Sequence, residues 1–226
     1  MLDRKVTRSR RAKSPATVAP KRSKRKRRQQ KRSIDTRLSI LKAALSEFAE
    51  VGFDAASTRS IGERAGVNFP LITYHFRTKE KLWRAVAEHA FGEIRTLWDR
   101  EVPADVAPRE RVRAEFRIFL RFTIEYPDFH HFMMQESRRD NPRLPWLVET
   151  FLHPVMDRVL PQIKSAQKDG QMPASNPVLV YYMLIGMVSV LSSLGAEMRA
   201  TSRLDASDPK VVEAYWALIE RTVFAM

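Results

Sequence analysis

The chain contains no cysteine. Disulfides and thiolate chemistry are thereby excluded, and the composition suits the reducing cytoplasm. Glycine is scarce, at seven residues in 226, and no stretch alternates apolar and polar residues as a strand does. Both shortages argue against β architectures and for an all-α chain. No Gly-rich phosphate loop and no Ser-His-Asp arrangement is present, so no enzyme is expected. The five histidines lack ligand spacing: His130 and His131 are neighbours that point apart on a helix, and His75, His89 and His153 have no companion at zinc spacing. No metal and no cofactor is expected. A run of membrane length is missing as well. The longest apolar run, VLVYYMLIGMVSVL at 178–191, falls short of the roughly 20 residues that span a bilayer. It reads as a core helix buried on both faces, and no membrane role is expected.

Acidic residues are missing from one place in particular. Residues 1–33 hold fifteen of the 40 Lys and Arg but only Asp3 of the 26 acids, so the other 193 residues carry 25 of each. The net charge of +14 is therefore the charge of the tail, and the remainder is neutral. The tail, densest in Lys21–Arg28, has too little apolar content to bury anything and is expected to be disordered. It is a phosphate-binding arm, an anchor for anionic membranes, or a solvated segment. The anchor is the weakest reading, because no apolar face or lipidation signal accompanies the charge.

From Ile34 the pattern becomes helical. Ile34, Leu38, Leu41, Leu45 and Phe48 recur at steps of three and four, and Gly52 supplies a left-handed stop. Ser57 is placed to cap a second helix that runs to about Arg64. Ala65-Gly66-Val67 makes a tight turn, and Asn68 can cap a short third helix with Pro70 in its first turn. Thr78 caps a fourth, along which Leu82, Val86, Ala90, Ile94 and Leu97 share a face. Further helices follow around Val112–Thr123, Asp128–Arg139, Leu144–Lys168 with kinks at Pro154 and Pro161, 176–199 and 208–224. Three parts result: a basic tail (1–33), a three-helix helix-turn-helix segment (34–92) and a C-terminal helical part (93–226).

Two short helices joined by small residues can cross steeply and present the second to a major groove. Ala43-Ala44 through Phe48, Gly52-Phe53, Ser57-Thr58, Ile61, Ala65-Gly66-Val67, Tyr74-His75-Phe76 and Lys79-Glu80-Lys81-Leu82 stand in one order over residues 40–86. This stretch resembles the DNA-binding domain of the tetracycline-repressor (TetR) family. The resemblance implies an all-helical C-terminal domain that binds a ligand and dimerises.

It also implies roles for single residues. Thr58 stands where the family contacts a phosphate. Arg59 stands where some members read a base; it reads guanine here or rests on a phosphate. Asn68, Phe69, Leu71, Thr73, Tyr74 and His75 match positions that face DNA, with Phe69 or Leu71 suited to a thymine methyl. Lys79 stands where the family holds a phosphate beside a helix N-terminus. Phe69 and Thr73 depart from the residues common at their positions, so the operator sequence does not follow. Ile61, Ala65, Val67, Ile72 and Phe76 are expected in the core. Beside such a motif the phosphate-binding arm is the preferred reading of the tail.

In the C-terminal part, Trp98, Phe116, Phe119 and Thr123 are candidates to line a ligand cavity. So are Phe132, Met133, Glu136, Trp146 and Phe151, with Tyr181, Tyr182 and Ile185. Flexible Met and amphipathic Tyr suit an adaptable apolar pocket, although each aromatic taken singly fits an ordinary core. The helices at 176–199 and 208–224 carry more apolar residues than one core can cover. Tyr182, Gly186, Ser189 and Ser193 form a stripe for close approach, so both helices are expected to form a homodimer interface. The expected function is a cytoplasmic transcriptional regulator, read as a repressor, that binds double-stranded operator DNA and is released by an unidentified small-molecule effector. The alternatives are a nucleoid-type architectural protein and a regulator of the same fold without an effector.

Overall fold

A computed structural model of the protein describes the backbone of residues 21–225 and the side chains of residues 27–225. The tail expectation for residues 1–20 lies outside the described residues. Among the described residues every regular element is helical, as the shortage of alternation implies. Two compact units divide the chain, 1–37 and 38–226, and every site below lies within 38–226.

Helix α1 (Lys21–Ala55) begins at Lys21 and not near Ile34, so disorder up to residue 33 is not what the structure shows. Lys, Arg and Gln are good helix formers, and extending a helix from an existing turn is far easier than nucleating one. Residues 27–33 are exposed. Ile34 and Leu38, expected on the apolar face, are exposed as well; burial starts at Ile40 and Leu41. Gly52, at φ 78° and ψ 170°, breaks the helix geometry where the stop was expected, and one further turn follows.

Helices α2 (Thr58–Ala65), α3 (Phe69–Phe76) and α4 (Lys79–Glu101) come next. The α4 helix runs unbroken through the boundary expected at residue 92. Its buried residues explain why: Trp83, Phe91 and Ile94 share one apolar cluster with Phe48, Ile61, Ile72 and Phe76 on one side and Phe122, Phe129, Phe132 and Leu147 on the other. The helix-turn-helix segment thus has no core of its own to end at residue 92.

Helices α5 (Pro108–Glu125) and α6 (Pro127–Glu136) lead to a long helical stretch made of α7 (Leu144–Leu147), a π-helical turn (Val148–Leu152) and α8 (His153–Lys168). The π turn closes when the His153 N–H bonds the Val148 carbonyl, one residue before Pro154, which has no N–H to continue the regular ladder. Pro161 is accommodated inside α8. Helices α9 (Pro177–Ser202) and α10 (Pro209–Ile219), with a closing π turn over Glu220–Phe224, complete the fold. A second apolar cluster joins Phe116 and Leu120 of α5, Ile163 of α8, Leu184 and Val188 of α9, and Trp216 of α10.

Within this chain the apolar run 178–191 is buried on one side, leaving outside the excess apolar surface expected at a homodimer interface. Its helix has 26 residues, long and apolar enough by composition to cross a membrane, and 33% of its most apolar window is buried. Leu179, Tyr182, Met183 and Leu194 are exposed, because the neighbouring helices of this chain cover one side only.

Candidate nucleic-acid interface and ligand cavity

The helix-turn-helix is built from local caps and a few long-range ties. Ser57 Oγ accepts from the Ser60 N–H at 3.0 Å, the cap expected from its position. Ser60 Oγ in turn donates to Glu47 of α1, and Arg64 donates to Glu50 at 2.6 Å. These contacts pin α2 on α1. Gly66 takes the left-handed turn at φ 66°, and the Val67 N–H reaches the Gly62 carbonyl at 2.9 Å. A Cβ at Gly62 would lie 3.0 Å from the Val67 carbonyl oxygen and 3.3 Å from Ile72 Cδ1. Any larger residue at position 62 would push the Val67 carbonyl or the Ile72 side chain aside by a few tenths of an ångström, so glycine suits the close crossing of α2 and α3.

The crossing sets what α3 displays. Ile72 and Phe76 are buried, Ala65 and Val67 pack partly against the same core, and Phe69 and Tyr74 are 54% and 77% exposed. Phe69 and Tyr74 thus give this short, well-braced helix an exposed aromatic surface. Asn68 makes no side-chain cap bond, contrary to expectation; α3 starts with Pro70 in its first turn instead. Arg59 is exposed and lies 3.2 Å from Glu63, one turn along. Thr58, Phe69, Thr73 and Lys79 come together around one groove of about 360 Å³; Arg59, Asn68, Leu71, Tyr74 and His75 do not line it. Leu71 and His75 are half-buried. Arg77 and Lys81, both exposed at the end of α3 and the start of α4, are further cations to which the resemblance assigns no DNA contact.

Lys79 differs from the expectation. Its Nζ donates to the carbonyls of Phe53 (2.8 Å), Ala56 (3.0 Å) and Asp54 (3.3 Å), and it lies 4.5 Å from the centre of the Phe53 ring. An ammonium has three donors, so this one is occupied in closing the C-terminal end of α1. The first turn of α4 is capped by Thr78 Oγ1 accepting from the Lys81 N–H at 3.1 Å.

Behind this unit lies an apolar cavity of about 360 Å³. Seven of the expected residues line it: Trp98, Phe116, Phe119, Met133, Tyr181, Tyr182 and Ile185. Phe91, Ile94, Phe129 and His130 complete one side, and Val148, Leu152, Val155 and Met156 another. The latter group was missed because a helix with a π turn does not keep a 3.6-residue stripe. Of the remaining five expected residues, Thr123, Phe132 and Glu136 are buried, and Trp146 and Phe151 pack partly buried against the core. Thr123 Oγ1 donates to the Val188 carbonyl at 3.0 Å. Phe132 packs on Trp83, with ring centres 5.9 Å apart. Trp146 does the same at 5.4 Å. Phe151 stacks on Phe91 at 4.5 Å and lines a separate hollow of about 200 Å³.

Glu136 is the fifth. It is fully buried, yet its carboxylate accepts from Trp83 Nε1 at 3.0 Å, Asn141 Nδ2 at 2.6 Å and Arg143 Nε at 3.1 Å. The Arg143 guanidinium lies 4.1 Å from the centre of the Phe53 ring. Of the α6 residues, Phe129, His130 and Met133 line the cavity, whereas Phe132 and Glu136 do not. Burial, together with the neighbouring His131, holds the His130 imidazole below its ordinary pKa, so it is neutral at pH 7. Burial raises the Tyr181 phenol, so it stays protonated.

On α9, Gly186 and Ser193 are exposed with Leu179, Tyr182, Met183 and Leu194. Leu218 of α10 is 51% exposed. Ser189, expected on the same outward stripe, is 3% exposed and lines the cavity instead. Steps of four, three and four rotate that stripe partly out of the exposed face.

Comparison with known proteins bears on this geometry. The family described as bacterial regulatory proteins, tetR family, matches residues 40–86. An HTH-type transcriptional repressor of Mycobacterium tuberculosis is 42% identical over 71 residues, which cover 31% of this chain and 38% of the relative. The match therefore spans well under half the length of that protein. The HTH-type transcriptional regulator RutR of Escherichia coli is 27% identical over 65% of this chain and 68% of its own. Among solved structures, a TetR family transcription regulator from Marinobacter aquaeolei superposes with a TM-score of 0.64 at 16% identity, covering 87% of this chain and 98% of that one. The ketosteroid transcriptional regulator of M. tuberculosis does so with 0.65 at 20% identity, covering 83% and 94%. Residues 40–86 are a TetR-type helix-turn-helix segment, and the all-helical fold around it is that of TetR-like regulators.

Proposed function

We propose that a chain with this segment and this fold is a cytoplasmic, DNA-binding transcriptional regulator that works as a homodimer and is not an enzyme. The observation that carries the reading is the outward display of Phe69 and Tyr74 on a helix held by Gly62, Ile72 and Phe76. Such a helix fits a major groove, with Arg59, Arg77 and Lys81 beside it for bases and phosphates. Thr58, Asn68, Leu71, Thr73 and His75 are the further contacts, and the α4 N-terminus takes the phosphate first assigned to the Lys79 side chain. Two copies joined through the exposed faces of α9 and α10 put two α3 helices one DNA turn apart. A small apolar or aromatic molecule in the cavity favours another spacing and releases the operator, which makes the chain a repressor.

Selection of bound sequences from random duplex DNA tests the first half. A recurring two-fold site that survives excess non-cognate duplex supports it, and Arg59→Ala then relaxes one base position by about 1–3 kcal/mol. Binding without sequence preference overturns it in favour of an architectural role.

A further inference from the structure

The cavity carries information about the chemistry of its occupant. No Asp, Glu, Lys or Arg lines it; the polar side chains facing it are His130, Ser137, Tyr181, Tyr182 and Ser189. With the imidazole neutral and the Tyr181 phenol protonated near pH 7, nothing in the wall can pair a carboxylate or an ammonium, and an unpaired charge is heavily penalised in an apolar site.

Among the polar side chains of the wall, Ser189 has a fully buried oxygen without a partner. Ser189 is 3% exposed, and its Oγ is buried without a hydrogen bond. The usual recourse of a helical hydroxyl is the carbonyl one turn back. Thr96, Thr201, Ser202 and Thr222 all take it in this chain, at 2.6–2.9 Å. Ser189 does not, while its own carbonyl accepts from Ser192 and Ser193. Buried hydroxyls are nearly always satisfied; Ser189 Oγ shares its lack of a partner with Arg109 Nε, Glu115 Oε2, Gln135 Oε1 and Trp216 Nε1, and of these residues Ser189 alone lines the cavity.

We propose that the cavity takes an uncharged, largely apolar ligand with one hydrogen-bonding group, and that the Ser189 hydroxyl meets that group. The inference rests on the ligand-release reading above and narrows it. The flat walls of Phe116 and Phe119 and the flexible side chains of Met133 and Met156 suit an aromatic or alicyclic body. A volume of about 360 Å³ lies at the small end of ligand pockets.

Three probes of one shape test it on the full chain: naphthalene, 1-naphthol and 1-naphthoate, followed by calorimetry and thermal denaturation. Expected results are binding of naphthalene and 1-naphthol, with 1-naphthol at least tenfold tighter than 1-naphthoate. Ser189→Ala should weaken 1-naphthol at least fivefold, leave naphthalene unchanged, and leave the melting temperature of the free chain unchanged or higher. Ile185→Trp, which fills the cavity, should abolish binding of both. If 1-naphthoate binds as tightly as 1-naphthol, or Ser189→Ala leaves 1-naphthol untouched, the proposal is overturned while the cavity stands as a ligand site. Binding that survives Ile185→Trp overturns it too, by placing the probes elsewhere. If none of the three binds, both the proposal and the ligand-release reading fall.

Discussion

The indole N–H of Trp83 on α4 donates to the Glu136 carboxylate on α6 at 3.0 Å, and both side chains are buried. The helix that leaves the helix-turn-helix is thereby bonded to the helix that walls the cavity. Removing one partner of a buried charged hydrogen bond leaves the other unpaired.

Glu136→Ala should lower the stability of the chain by about 3–5 kcal/mol, because Trp83, Asn141 and Arg143 all lose their acceptor. Glu136→Gln should cost less. Combined with Trp83→Phe it should show an interaction energy of about 0.5–3 kcal/mol in urea denaturation, and strict additivity would show that the two residues do not act together.

Lys79→Met should destabilise the fold by about 1–3 kcal/mol, since three carbonyls at the end of α1 lose a charged donor. A phosphate contact alone would leave the melting temperature in place and weaken every DNA sequence alike. Thermal denaturation beside a DNA titration separates the two roles.

Gly186→Arg and Ser193→Arg should give a folded monomer with lost operator binding. Both sites are exposed, a Cβ at Gly186 meets nothing within 4 Å, and Arg is the better helix former. Mass in solution and helicity decide the matter: a dimer that keeps its operator would move the interface off α9.

Glu115 provides a pH signature. Its carboxyl is raised above the ordinary value of 4.5 by burial, partly offset by Arg158, which donates to Oε1 at 2.8 Å. A raised carboxyl binds its proton more tightly folded than unfolded, so between about 4.5 and the raised value stability falls as pH increases. Glu115→Gln removes that proton. The wild-type stability should therefore drop relative to the variant as pH rises through this window, and a constant difference in urea midpoint from pH 4 to 7 would refute the assignment.

What could be read from the chain and what could not divide by distance along it. Ser57, Gly66 and Thr78 act on residues one turn away, and their roles as caps and turn are visible in a ten-residue window. Lys79 meets carbonyls more than twenty positions back, and Glu136 meets an indole 53 positions back. Nothing local marks either contact, so one was assigned to phosphate and the other to the cavity. Counting small residues puts Ser189 on the dimer stripe; only the packed helix reveals that it faces inward. The tail was read as disordered from composition, which does not register that a packed α1 can carry its winding into a solvated segment.

Gly62 has one more consequence. The absence of a side chain there sorts the motif into two kinds of position. Gly62, Gly66, Ile72 and Phe76 hold the two helices at their crossing, and a change at any of them disturbs the frame. Arg59, Phe69, Thr73 and Tyr74 are exposed, and the side-chain bonds of Arg59 to Glu63 and of Thr73 to the Phe69 carbonyl stay within their own helices. Substitutions at these four should be close to neutral for the fold, so under the proposed function the DNA preference can drift without the chain approaching the threshold at which it would cease to fold. Its vocabulary can change while its grammar stays put.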